Sequence, residues 1–124
     1  MEILGFVFAG TATDRRAAMS DFVEHTLGLR RSANYEGDAS MFELPDGSRF
    51  AVHDEYHDQP GTTRTIGFLV TDIGAACREL AAAGIIPDEP QENELHRYVH
   101  FTAPDGELYE LVELLRPEAA PLTS

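Results

Sequence analysis

His96, Tyr98 and His100 alternate with Arg97, Val99 and Phe101, and Glu110 follows between Tyr109 and Leu111. Side chains at every second position of an extended chain share a face. The two histidines and the tyrosine therefore lie on one side of a strand, while Val99 and Phe101 take the other. Burial of Tyr109 and Leu111 turns Glu110 toward that same polar side. Imidazoles, a phenol and a carboxylate gathered in a cavity can pass protons, because desolvation and mutual charge move histidine and glutamate pKa values toward neutrality. His53 closes a second run of this kind, in which Arg49, Ala51 and His53 alternate with Phe50 and Val52, and it is expected to reach the same cavity. A buried carboxylate needs a partner: Arg49 and Arg97 are the internal candidates for Glu110, and a cationic or hydrogen-bond-donating ligand is the functional alternative. The plainer reading leaves His53 and His96 in solvent at strand ends and makes Glu110 half of an ordinary ion pair. His25 and His57 are expected on the surface.

These runs must be strands, and the chain writes its strands twice. Leu-Pro-Asp-Gly-Ser-Arg-Phe-Ala-Val at 44–52 returns as Ala-Pro-Asp-Gly-Glu-Leu-Tyr-Glu-Leu at 103–111. In each copy a Pro-Asp-Gly turn feeds an alternating strand, with proline presetting one dihedral and glycine supplying a positive φ. Upstream, 4–8 resembles 66–70, and each of these β-rich runs precedes a helical pattern. Ala18, Met19, Phe22, Val23 and Leu27 form the first apolar stripe, with Asp14 as N-cap and Gly28 as C-cap. Ile73, Ala76, Cys77 and Leu80 form the second, between Asp72 and Gly84. Further strands are expected at about 30–35, 40–44, 85–88 and 96–102. The expectation is an α+β fold of two tandem βαβββ modules, about 1–56 and 64–115, within a single domain over 1–124. Residues 54–63 then link the modules and 116–124 form a tail.

The 124 residues carry 9 basic and 22 acidic side chains, a formal charge of -13. Phosphate backbones and anionic membranes are repelled by such a field, and cationic small molecules or basic partners are drawn in. Solubility alone is the competing account of the charge. Cys77 is the single cysteine, the N-terminal run has no secretory pattern and no stretch is long enough to span a bilayer. A cytoplasmic protein is expected.

The ordered set of segments resembles a known family. Residues 65–73 (Thr-Ile-Gly-Phe-Leu-Val-Thr-Asp-Ile), Ala82-Ala83-Gly84, 88–92 (Asp-Glu-Pro-Gln-Glu), Pro104-Asp105-Gly106 and 110–113 (Glu-Leu-Val-Glu), with Leu27-Gly28-Leu29 in the first half, are similar to the vicinal oxygen chelate superfamily of glyoxalases, bleomycin-resistance proteins and extradiol dioxygenases. The resemblance implies a cupped mixed sheet with helices on its outer face and the functional site in the cup. Metal-dependent members place a donor on the first and last strand of each module. By that correspondence Glu110 is the last-strand carboxylate, Ala51 its counterpart in the first module, Thr65 the first-strand position of the second, and the region of Ile3 or Gly5 that of the first. One donor of four implies no resident metal and no cofactor; His53, His100 and Glu110 form the alternative site for one divalent ion. The expected function is binding of a cationic or aromatic ligand, such as an antibiotic, in a cup lined by His53, Thr65, Leu69, His96, Tyr98, His100 and Glu110. The alternative is a glyoxalase- or dioxygenase-like enzyme, either a metal-assisted lyase or isomerase or an acid-base catalyst using Glu110 and His100. A homodimer is expected, because such paired modules leave sheet edges and apolar rims for a second chain to cover.

Overall fold

A computed structural model describes residues 1–32, 37–57 and 60–116. Its strands are β1 (Ile3–Thr13), β2 (Arg30–Arg31), β3 (Ala39–Glu43), β4 (Arg49–Asp54), β5 (Arg64–Val70), β6 (Gln91–Glu92), β7 (His96–Thr102) and β8 (Leu108–Leu114). They form one eight-stranded mixed sheet in the order β2-β3-β4-β1-β5-β8-β7-β6. Helix α1 (Arg16–Asp21), which runs into a π-helical turn over Phe22–Thr26, follows β1, and helix α2 (Ile73–Ala82) follows β5. The α+β class and the cupped sheet agree with the expectation.

Alternation decides which face is which. Val70, Val99 and Leu111 are buried against Ile73, Ala76 and Leu80 of α2. Phe42 and Val52 are buried against Val23, with Met19 packed beside them. Each fully buried Val, Leu, Ile or Phe contributes about 1.5–3 kcal/mol, so these two layers hold the helices on one side and leave the opposite face open. Asp72 caps α2 by accepting from the Ala75 amide at 3.1 Å. The Ile73 amide donates to the Glu113 carboxylate at 2.8 Å, tying the helix start to β8.

The two halves join where β1 pairs antiparallel with β5, and β1 also pairs parallel with β4 within the first half. Gly10 is required on the β1–β4 ladder: a Cβ built there would meet the Ala51 carbonyl oxygen at 1.9 Å. The β1–β5 ladder shifts register between Ile3 and Gly5 and again between Phe6 and Phe8. On the helix side, Phe6, Phe68, Tyr109 and Phe101 stack in sequence across four strands, with centroids 5.3, 6.3 and 5.8 Å apart.

Three expectations need correction. The first helix does not run unbroken from Asp14 to Leu27: six α-helical residues give way to the π turn, in which the Leu27 amide reaches back to the Phe22 carbonyl at 3.0 Å. The wider turn rotates the stripe, so that Ser20 and Val23 are buried while Phe22 and Leu27 are 45% and 55% exposed. Thr13 Oγ1, rather than Asp14, accepts from the Arg15 amide at that end. The strand expected at 85–88 is absent, and the short partner of β7 is β6 instead. Of the strand expected at 30–35 only Arg30 and Arg31 are extended among the described residues, since 33–36 lie outside them, as do 58–59 of the linker and 117–124 of the tail. No helix among the described residues is long and apolar enough to cross a membrane.

Gly10→Ala should lower the denaturation midpoint, by about 1–3 kcal/mol or more for an overpacked strand pair. A variant with an unchanged midpoint and native-like amide exchange in β1 would show that the β1–β4 ladder has room for a side chain.

Candidate functional site

The open face of the sheet bounds a cavity of about 540 Å³, within the range of small-molecule sites. Every second residue of three strands lines it: Arg49, Ala51 and His53 from β4, His96, Tyr98, His100 and Thr102 from β7, and Leu108, Glu110 and Val112 from β8. This is the division that alternation around the two Pro-Asp-Gly turns predicts. Register places several of these side chains in one row. His100 pairs with Glu110, Glu110 with Gly67 and Gly67 with Phe8; Arg49 stands one step before the pair Ala9–Phe50 and so beside Phe8. Gly67 leaves room for the Phe8 ring, one edge of which lies 2.5 Å from where a Cβ would sit.

Glu110 takes neither expected arginine as its partner. Its carboxylate lies 2.8 Å from His100 Nε2, and the two side chains are only 17% and 26% exposed. Arg97 pairs with Glu92 instead, at 3.4 Å. Facing residues of adjacent antiparallel strands are in direct contact, whereas Arg49 on β4 is separated from β8 in the sheet by β1 and β5. Burial on its own would lower the pKa of His100, but the hydrogen bond it donates to Glu110 and the charges of Glu110, Asp88 and Asp38 outweigh it and raise its pKa above the ordinary 6.5. Burial raises the Tyr98 phenol, and Glu110 and Asp38 add to the shift.

The remaining wall is aromatic. His53 stacks on Tyr56 at 4.2 Å and 19°, with its Nε2 3.4 Å from Asp38. Tyr56 meets His100 edge-on at 6.2 Å, as Tyr98 does at 6.1 Å. Tyr56 donates to Thr65 Oγ1 at 2.9 Å. Of the residues expected in the site, His53, His96, Tyr98, His100 and Glu110 share the cavity, whereas Thr65 and Leu69 do not line it. Thr65 is 3% exposed beneath the Tyr56 hydroxyl. Leu69 shares the face, but its cross-strand neighbour Val112 forms the cavity edge there. Tyr56 and His57, in the segment read as a linker and a surface residue, also line the cavity. Only the spacing of Tyr56 three residues beyond His53 hinted at a stacking pair.

The sequence profile of the Glyoxalase/Bleomycin resistance protein/Dioxygenase superfamily matches residues 5–111, and the chain belongs to that superfamily. Its fold is similar to methylmalonyl-CoA epimerase from Mycobacterium tuberculosis (TM-score 0.71, 16% identity, covering 94% of this chain and 92% of that one). It is also similar to a methylmalonyl-CoA epimerase solved with methylmalonyl-CoA and NH4+ (0.63, 20%, 90% and 95%). A third likeness is to a glyoxalase/bleomycin resistance protein/dioxygenase superfamily member from Vibrio splendidus 12B01 (0.63, 18%, 86% and 96%). No curated protein matches the chain significantly in sequence.

These comparisons correct the expectation that the protein has no cofactor. The epimerases are enzymes of a fold whose metal-dependent members hold a divalent ion. Absence of a cofactor therefore does not follow. The donors of this chain nevertheless do not fit the family's ion. Gly10 faces Ala51 as Gly67 faces Glu110, which makes Phe8, two residues before Gly10, the equivalent of Thr65. The first-strand position is thus Phe8, not Ile3 or Gly5; the register shifts in β1 displaced the correspondence. Phe8, Ala51, Thr65 and Glu110 offer one carboxylate, already paired with His100, and one hydroxyl, already accepting from Tyr56. Nor do His53, His100 and Glu110 form a group able to hold an ion, as no such group of three exists among the described residues.

Because the folded-state pKa of His100 is raised, the stability its pair with Glu110 contributes is complete below the unfolded histidine value near 6.5 and is lost as pH rises through the folded value. The denaturation midpoint of the protein, minus that of His100→Gln at the same pH, should therefore shrink between pH 6 and 9. A difference that grows or stays flat across that range would contradict the pairing.

Proposed function

We propose that the cup binds a small cationic or aromatic molecule, in the manner of the superfamily's bleomycin-resistance members, with an antibiotic as the type of ligand such a site holds. One observation carries this reading. Asp38, Asp54, Glu55, Asp88 and Glu110 line the cavity together with the rings of Tyr56 and Tyr98, against a single arginine. Carboxylates concentrate a cation, and aromatic faces stabilise it once water is excluded. The raised pKa of His100 supports the reading, since a field that strengthens proton binding by a largely buried imidazole also favours a ligand cation. The same field argues against nucleic acid as a partner.

A second reading is favoured by the 2.8 Å contact of His100 with Glu110. A protonated imidazole held in place by a carboxylate can donate a proton to a substrate and take it back. In this enzyme reading Glu110 orients the ring through Nε2, His100 moves the proton at its other ring nitrogen, Nδ1, and Tyr98 offers a further donor. Turnover of a bound ligand, abolished in His100→Gln while binding persists, separates this reading from simple binding.

We further read the chain as one domain of two modules, about 1–56 and 64–115, acting as a homodimer in the cytoplasm. Ile3, Leu4 and Phe6 of β1 are 46%, 55% and 65% exposed, an apolar strip that a second copy would cover. Sedimentation at micromolar concentration should give a dimer and Phe6→Glu a monomer; a wild-type monomer would refute this.

Cationic aromatic ligands should raise the melting temperature with concentration, as mass action requires. Glu110→Gln should weaken their binding about ten- to a hundredfold, equivalent to about 1.5–3 kcal/mol for a charge-assisted hydrogen bond, and should leave the fold intact. Equal affinities in the two proteins would count against the cup as the binding surface.

A further inference from the structure

Among the described residues, Arg49 is the one arginine that lines the cavity. Arg16, Arg30, Arg31, Arg64 and Arg97 each pair with a carboxylate. Arg49 is half-buried, lines the cavity and has no ion pair among the described residues. Its natural partner is Glu43, directly across the β3–β4 ladder, but Glu43 is held by Arg30. In a chain of charge -13, a guanidinium that faces the cavity with no carboxylate engaged among the described residues keeps its donor fork available to an anion from outside.

Its position adds to the case. Arg49, Phe8, Gly67, Glu110 and His100 form one row across the cup floor. From β4 to β8 the row crosses three strand spacings, about 14 Å along the sheet, which its curvature and the long arginine side chain shorten. The His100–Glu110 pair and the guanidinium therefore stand at opposite ends of the row with the Phe8 ring between them, at a separation a drug-sized molecule spans.

We propose that Arg49 is the docking point for a carboxylate of the ligand, so that the ligand is dipolar: cationic or aromatic at the wall of His100, Tyr56 and Tyr98, and anionic at Arg49. The planar guanidinium fork matches a carboxylate bidentately, and the apolar Phe8 ring fits a hydrocarbon body between the two ends. This rests on the cup being the ligand site, and it narrows the ligand class from cations to molecules bearing both charges.

The test follows arginine Nε–H signals by NMR in the full chain as acetate is added at constant ionic strength, and then follows His100 and Tyr98 in the same sample as tyramine is added. The Arg49 signal should shift saturably and several-fold more than those of Arg15 and Arg78, which also lack a carboxylate partner among the described residues. Arg49→Gln should remove the acetate response, and Arg49→Lys, which keeps the charge without the fork, should retain only a weaker one. An Arg49 signal that moves no more than Arg15 and Arg78 overturns the proposal. Tyramine reports separately on the cup reading: a response at His100 and Tyr98 without preference at Arg49 removes the carboxylate site alone. An Arg49 response without one at His100 and Tyr98 keeps the carboxylate site and removes the cationic wall.

Discussion

The antiparallel join of β1 to β5 is the constraint on which everything else depends. Each half has only one helix to cover one face of its strands, and alternation sends the other side chains to the opposite face. Joined edge to edge, the two open faces become one concave surface; separated, each would be a half-covered sheet with a raw edge. The join requires close approach at Gly67, where the Phe8 ring takes the vacated space, and the neighbouring β1–β4 ladder requires it at Gly10, where a side chain would strike the Ala51 carbonyl. Small residues at the centre let strands from distant parts of the sequence bring Arg49, Glu110 and His100 into one row.

The row has an electrostatic consequence. A histidine and a glutamate facing each other across β7 and β8 would be a modest surface pair in water. Within the cup both are largely withdrawn from solvent, and the carboxylates of Asp38 and Asp88 add to the field at the imidazole. Desolvation and attraction oppose each other at His100, and attraction wins. The cavity thereby favours positive charge at the His100 end of the row, and Arg49 stands at the other end. The superfamily's scaffold is compatible with a resident ion, but here the positions that would hold one carry a phenyl ring, a methyl group and an engaged hydroxyl beside Glu110.

What the amino-acid order revealed was local. Pro-Asp-Gly followed by alternation identified both β4 and β8 and which of their side chains face the cavity, and Asp72 with its apolar stripe identified α2. These signals are carried by neighbours in sequence, and physics acts on them within a few residues. The register of β1 was not legible, because two shifts in its ladder with β5 depend on packing against a partner some sixty residues away. For the same reason the first-strand correspondence fell on Ile3 or Gly5 instead of Phe8. Tyr56 escaped notice in a charged segment with Pro60 and Gly61, and its role exists only because Thr65 and His53 lie beneath and beside it. The partner of Glu110 was likewise a matter of cross-strand register, which no spacing within either strand encodes. A π turn in the first helix redirected Phe22 and Leu27 outward, where periodicity alone pointed them to the core.

The central claim is that the cup stabilises positive charge through Glu110, and the titration of His100 measures it most directly. Proton and carbon NMR of the imidazole in the unliganded protein, repeated in Glu110→Gln, reports the charge preference of the site without needing a ligand. The account predicts a His100 pKa above 6.5 in the native protein and a fall in the variant, because desolvation is then opposed only by the more distant carboxylates. A native value at or below 6.5, or one unchanged by removing the Glu110 charge, would contradict it.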